Sequence, residues 1–306
     1  MAPSGSKRKS TPLGVHTSIA GGRQLAVDRA VELGCTAMQI FGRNPRSWAF
    51  SPVPAHEAAL FREKRAQESI WPVAVHTTYL INLCSPADEL FDKSVDLFKG
   101  EISIAADLGA DYLVTHLGSP GGLGAEYAIE RVLAALEKAA SIGVGGAGGV
   151  GGAGAQHGSV EILLENTSGA GAGFGANLDE IGRVLDGAAR IGIKAGLCFD
   201  TCHGFAAGYP FGSVEDAGTL VAAIDASVGL ERLKLIHLND SKGESGSRLD
   251  RHEHIGKGRI GATGLANFLN HPKIRGIPLI LETPKKSLED DPENLRAVRR
   301  ILKGDI

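Results

Sequence analysis

The chain has no apolar run long enough to span a bilayer, which argues against a transmembrane segment and against a membrane partner. Its opening stretch, MAPSGSKRKS, is short, polar and basic and lacks the apolar core of a secretory signal. A solvated, disordered basic tail over residues 1–11 is the expectation, with the KRK cluster as a weak nuclear address. Cysteine is scarce: Cys35, Cys84, Cys198 and Cys202 form no CxxC pair, so buried reduced thiols of an intracellular protein fit best. Nucleus, mitochondrion and cytoplasm all stay open. Nor is there an excess of either charge. A formal net charge of -3 gives no first sign of a nucleic-acid partner. That sum misleads if carboxylates hold metal, because each divalent ion locally adds two positive charges. The glycine-rich run at 143–158, GVGGAGGVGGAGAQHG, lacks the terminal GK[ST] of a phosphate loop. Such composition cannot bury a core, so it reads as a flexible, functionally silent insertion, and His157 within it is discounted.

What is present is ordinary in bulk and unusual in order. Hydrophobic residues make up 43% and charged residues 22% of the 306, enough for a large core. Eight short β-rich apolar runs are expected as strands at 13–16, 37–41, 73–76, 112–116, 161–164, 195–200, 233–238 and 278–282. Helical periodicity fills 23–33, 55–67, 90–108, 125–140, 178–189, 214–228, 264–270 and 293–302. Strand and helix alternating eight times predict an α/β fold, a single (β/α)8 TIM barrel over 12–306, with its active site at the carboxyl ends of the strands. The insertion then joins the fourth helix to the fifth strand on the opposite face.

The strand ends carry the chemistry. They read His16, His76, His116, Glu165, Asp200 with His203 beyond, His237 and Glu282, and the loop after strand seven adds Asp250 and His252 in DRH. One histidine at a strand end is usually a hydrogen-bonded core residue. So many imidazoles and carboxylates converging on one crater would desolvate and repel one another unless cations sit among them. The donor set has no thiolate, which suits zinc first and manganese second, and its size suits two or three ions. Metal-assisted hydrolysis of a phosphate ester is the use such a site best fits. These residues alone do not name the ester.

Several long strings, in order, resemble the endonuclease IV family of apurinic/apyrimidinic endonucleases: HTTYLINL at 76–83, LENTSG at 164–169, DTCHGFAAGY at 200–209, HLNDSK at 237–242 with GSRLDRHEHIGKG at 246–258, and LILET at 279–283. The resemblance spans about Leu13 to Leu302 and implies a (β/α)8 barrel with three zinc ions, manganese being the alternative at one position. It implies nine ligands: His76, His116, Glu165, Asp200, His203, His237, Asp250, His252 and Glu282. By the same resemblance Glu165 bridges two ions and His203, Asp250 and His252 hold the third, while Glu165 and Glu282 serve catalysis with a metal-bound hydroxide. His16 corresponds to a position beside the ligands. The implied reaction cuts duplex DNA 5′ to an abasic site, leaving a 3′-hydroxyl and a 5′-deoxyribose phosphate, with 3′-phosphodiesterase or 3′-phosphatase action at blocked 3′ ends. Arg46 in GRNPRSW, with Tyr79 and Leu80, matches side chains that fill the gap left by the flipped abasic nucleotide, and a monomer is implied. Two departures, HTTYL for the usual H-x-S-Y-L and Pro210 after AAGY, touch no ligand. A sugar isomerase or epimerase on a related barrel, and a catalytically silent binder of damaged DNA, are the competing readings.

Overall fold

The computed structural model describes residues 10–140 and 160–305. The expectation for 143–158, all but the end of the tail expectation at 1–11, and His157 lie outside the described residues. Eight parallel strands close into a barrel in the order β1, β10, β7, β6, β5, β4, β3, β2. They are β1 (Leu13–His16), β2 (Ala37–Phe41), β3 (Val73–His76), β4 (Tyr112–Thr115), β5 (Glu161–Glu165), β6 (Ala195–Asp200), β7 (Leu233–His237) and β10 (Leu279–Leu281). Two further strands, β8 (Asp240–Ser241) and β9 (His252–Glu253), form an antiparallel ribbon in the connection after β7. The helices are α1 (Gln24–Glu32), α2 (Ala55–Gln67), α3 (Asp88–Asp107), α4 (Gly124–Ala140), α5 (Leu178–Arg190), α6 (Thr201–Ala207), α7 (Val214–Ser227), α8 (Gly261–Leu269) and α9 (Asp290–Lys303). Among the described residues no helix is long and apolar enough to cross a membrane.

Period-two alternation explains how this frame places polar groups. Val73, Val75, Leu197, Phe199, Ile236, Leu279 and Leu281 belong to the large apolar layer between sheet and helices. Their strand neighbours Ala37, Ala74, Val114, Leu163, Cys198, Leu235 and Ile280 form a separate, fully buried cluster that fills the barrel interior. The side chain two residues beyond each interior residue faces the same way, one layer nearer the carboxyl ends. Those side chains are, in the same order, Gln39, His76, His116, Glu165, Asp200, His237 and Glu282. A polar layer therefore rests directly on an apolar one, which shuts it off from the far end of the barrel.

Three sequence expectations need correction. The stretch after Asp200 is not loop but the helix α6, which Asp200 itself caps by accepting the His203 backbone N–H at 2.7 Å. Gly208, with φ of 105°, ends the helix in a left-handed conformation that costs glycine little. The connection after β7 holds the β8–β9 ribbon, where plain loop is expected. Strands four, seven and eight end one residue early, so His116 and Glu282 stand just beyond strand ends.

Candidate metal centre

Glu165, Asp200 and His237 are fully buried at the centre of the crater. Glu165 Oε2 lies 3.0 Å from His76 Nε2 and 3.6 Å from His116 Nε2, and Oε1 lies 3.0 Å from His237 Nδ1. His237 Nδ1 is also 3.2 Å from Glu282 Oε2. On the other side His252 Nε2 is 3.7 Å from Asp200 Oδ2, and Asp250 Oδ1 is 3.2 Å from His203 Nε2 and 3.5 Å from His252 Nε2. Three groups have ligand atoms within 4.8 Å of one another: His76, His116 and Glu165; Glu165, Asp200, His237 and Glu282; and Asp200, His203 and His252. Glu165 belongs to the first two groups and Asp200 to the last two, so the three are joined through shared carboxylates. The structure thus brings together all nine side chains expected to bind metal, with Asp250 at the outer edge.

Four of the five imidazoles are oriented by their second nitrogens, while His116 Nδ1 is buried without a hydrogen-bond partner. His76 Nδ1 donates to the Thr77 carbonyl at 2.8 Å, His203 Nδ1 to that of Asn166 at 3.0 Å, and His252 Nδ1 to that of Glu282 at 3.0 Å. His237 uses the opposite nitrogen, Nε2 donating to Gln39 Oε1 at 2.8 Å. A carbonyl can only accept, so each neutral ring is left with a lone pair aimed at the carboxylates. Lone pair against carboxylate is repulsive unless a proton or a metal ion lies between them. His252 Nε2 is buried without a hydrogen-bond partner. Histidines held through a carbonyl on one nitrogen and opened to a shared carboxylate on the other fit divalent cations well.

Electrostatics without a cation say the same. Burial opposes a charge on His203, but Asp200, Asp250 and Glu165 outweigh it and hold its pKa well above the usual value. Burial likewise opposes His237, and Cys198, Glu282 and Glu165 raise it well above normal. Glu165, though buried, is held well below the carboxylate range by His116, His237 and His203, and Glu282 is lowered despite burial by His237 and His16. His116 moves the other way, lowered by burial. Burial pushes the four thiols up as well, Cys35 to about 11 and Cys84, Cys198 and Cys202 to about 12, and all four are free of disulfides.

Sequence reasoning missed the supporting amides. Gln39 accepts from His237 and donates to Glu282 Oε1 at 2.6 Å, and lies 3.0 Å from His16 Nδ1. Asn239 donates to Asp200 Oδ2 at 2.7 Å and accepts the Glu282 backbone N–H at 2.9 Å. Asn166 bonds the Asp200 backbone in both directions, at 2.7 and 3.1 Å. Gln39 could have been found as a lone polar residue facing inward from an apolar strand. His16, 3.3 Å from Glu282 through Nδ1, lines a crater of about 1470 Å³ with His76, His116, His203, Asp250 and Glu282. Arg43, Lys285 and Lys286 also line it. Tyr79 is 66% exposed, its ring edge-on to Phe41 at 5.2 Å, and Phe41 lies 4.4 Å from the His16 ring. Arg46 is exposed on the loop after β2, and Leu80 is partly buried against the core, so neither joins the cluster.

A barrel of this kind, with linked groups at its carboxyl end that could hold cations, defines the class. Residues 27–304 match the family described as xylose isomerase-like TIM barrel. A relative named probable endonuclease 4, from Methanoculleus marisnigri, is 42% identical over 289 residues, covering 94% of this chain and 98% of its own. The crystal structure of endonuclease IV from Thermus thermophilus superposes with a TM-score of 0.81 at 36% identity, over 96% of this chain and 99% of that one. A D-tagatose 3-epimerase-like protein, at 17% identity and a TM-score of 0.68 with 96% and 98% of the chains covered, shares the fold alone. The chain belongs to the endonuclease IV family and is a nuclease of the hydrolase class.

Proposed function

We propose that the chain repairs DNA by hydrolysing the phosphodiester 5′ to an abasic site in duplex DNA, leaving a 3′-hydroxyl and a 5′-deoxyribose phosphate. Action on blocked 3′ ends as a phosphodiesterase or phosphatase is part of the same reading. The observation that carries it is the joining of three ligand groups through Glu165 and Asp200. In this reading His76, His116 and Glu165 would hold one zinc ion, Glu165, Asp200, His237 and Glu282 a second, and His203, Asp250 and His252 with Asp200 a third. Manganese is the alternative at one position. Bound there, the ions would supply a nucleophile at neutral pH and neutralise charge on the phosphate and the leaving 3′-oxygen. The chain's own residues do the rest. Glu165 and Glu282 stay ionised and accept no proton near neutrality, Gln39 and Asn239 keep both ends of the carboxylate network aligned, and the apolar layer below excludes water.

The same reading gives Arg46, Tyr79 and Leu80 the gap opened by a flipped abasic nucleotide. Position supports two of them, Tyr79 exposed in the crater lining and Arg46 exposed on the loop after β2, while Leu80 packs partly against the core and rests on the resemblance. An abasic site has already lost its stacking, so kinking and flipping cost least there. Duplex DNA is the partner, the working unit is a monomer and the setting is intracellular; the nuclear reading of the KRK cluster draws no support from the relatives. The epimerase reading has a shared fold behind it and no feature of the site.

Replacing Glu165 by Gln removes the shared charge without touching the crater wall. We expect Glu165→Gln to abolish incision while binding of abasic duplex persists. Near-normal turnover by that variant with its metals in place would contradict the role given to Glu165.

A further inference from the structure

The nine side chains stand on two kinds of support. His76, His116, Glu165, Asp200, His237 and Glu282 lie at or directly beyond barrel strand ends. His203, Asp250 and His252 lie on an excursion made of α6 and the connection between β7 and α8. Its two pieces are bonded together: the Gly246 N–H donates to the Phe205 carbonyl at 3.1 Å and the Arg248 N–H to that of Ala206 at 2.9 Å.

One side chain closes the long connection at its base. Asp240 is fully buried, and its carboxylate accepts backbone N–H groups from Ser241 at 2.8 Å, Gly258 at 3.0 Å, Ile260 at 3.0 Å and Gly261 at 3.2 Å. Ile260 and Gly261 open α8, whose own N-cap residue makes no capping bond, so Asp240 caps the helix from twenty residues away. Gly258 is pressed against it: a Cβ there would stand 2.5 Å from Asp240 Oδ1 and 2.4 Å from the Ser241 carbonyl oxygen. Both oxygens are committed to the two ends of the connection. Asp240 therefore has nothing to offer a cation or substrate, although it sits in the ligand-bearing HLNDSK string.

We infer that Asp240 is a positioning residue that latches this connection shut, holding Asp250 and His252 against His203 so that one of the three cation positions exists before a cation arrives. The inference rests on the three-ion reading given above. An unlatched connection must be ordered by the ion itself, and that ordering subtracts from its affinity. The two positions built on strand ends carry no such burden.

The test uses Asp240→Asn and Gly258→Ala in the full chain, with zinc counted and titrated after metal depletion, and amide hydrogen exchange followed on the metal-free proteins. Wild type is expected to hold three ions, and each variant to keep two tightly and bind the third roughly 10–100-fold more weakly, the scale seen when ligand-supporting residues are removed. In the metal-free variants the amides of His252, Gly258, Ile260 and Gly261 are expected to exchange faster while those of the barrel strands do not. Three ions at unchanged affinity in both variants would overturn the latch and leave the three-ion reading standing. Uniform loss of all ions, or faster exchange throughout the barrel, would overturn it by making Asp240 a general fold residue. A wild type holding fewer than three ions would overturn the reading and the inference together. Gly258→Ala keeps the test decisive should Asp240→Asn fail to fold.

Discussion

At the scale of single residues, protons and metal ions compete for the same lone pairs. In the metal-free protein both histidines are, despite burial, raised well above the ordinary 6.5, His237 by its place between Glu165 and Glu282 and His203 by Asp200, Asp250 and Glu165, so both favour the protonated form at neutral pH. The sign of the pH dependence follows. Raised histidines contribute stability fully below 6.5 and lose it as pH rises through their folded values. The lowered glutamates contribute above 4.5 and lose it as pH falls through theirs, so these four groups together contribute most between 4.5 and 6.5, while the lowered His116 opposes them below 6.5. A cation must displace the histidine protons. Zinc binding at pH 7 is therefore expected to release protons and to tighten as pH rises, which calorimetry in two buffers of different ionisation heat measures directly. Binding without proton release would mean that His203 and His237 are already neutral.

At the scale of elements, the strand carries most of what sequence could tell. Each candidate ligand on the barrel lies two residues beyond an interior apolar residue, so period-two alternation and a polar strand end mark it together, as Leu235 and His237 show. Gln39 obeys the same rule yet escapes, because its strand continues to the apolar Phe41 and presents no polar end. The helix α6 escapes because seven residues rich in glycine and alanine carry no amphipathic pattern. Asp240 is in plain view, but its partners are backbone N–H groups up to 21 residues onward, and no side-chain letter marks a backbone donor. Loops are harder still. The loop after β2 is held from beneath by Arg43, which donates to the carbonyls of Ser47 and Ala49 at 2.5 Å and faces buried Glu101 at 3.5 Å. Trp48 lies under Lys93, 4.7 Å from its ammonium. The Arg46 backbone N–H is itself held by Asn44 Oδ1 at 3.0 Å, and the residue is exposed on this fixed scaffold. Arg46→Ala is expected to cut preference for abasic over intact duplex by roughly tenfold, the scale of one inserted side chain, with zinc content unchanged. Lost zinc with intact preference would remove Arg46 from the DNA interface.

At the scale of the whole molecule, a net charge of -3 and a DNA substrate are compatible because charge is read locally. Four carboxylates, those of Glu165, Asp200, Asp250 and Glu282, gather at the crater, and three divalent ions would outweigh them and turn the site toward phosphate. Among the described residues the barrel opens at the end lined by Lys285 and Lys286, since the apolar interior seals the other end. The most direct measurement is incision of a duplex bearing one tetrahydrofuran abasic analogue, which cannot undergo β-elimination, with both product ends resolved and a metal-chelated control alongside. We expect a cut 5′ to the lesion that leaves a 3′-hydroxyl and disappears on metal removal. An intact strand after incubation with protein shown to hold its metals would contradict the central claim.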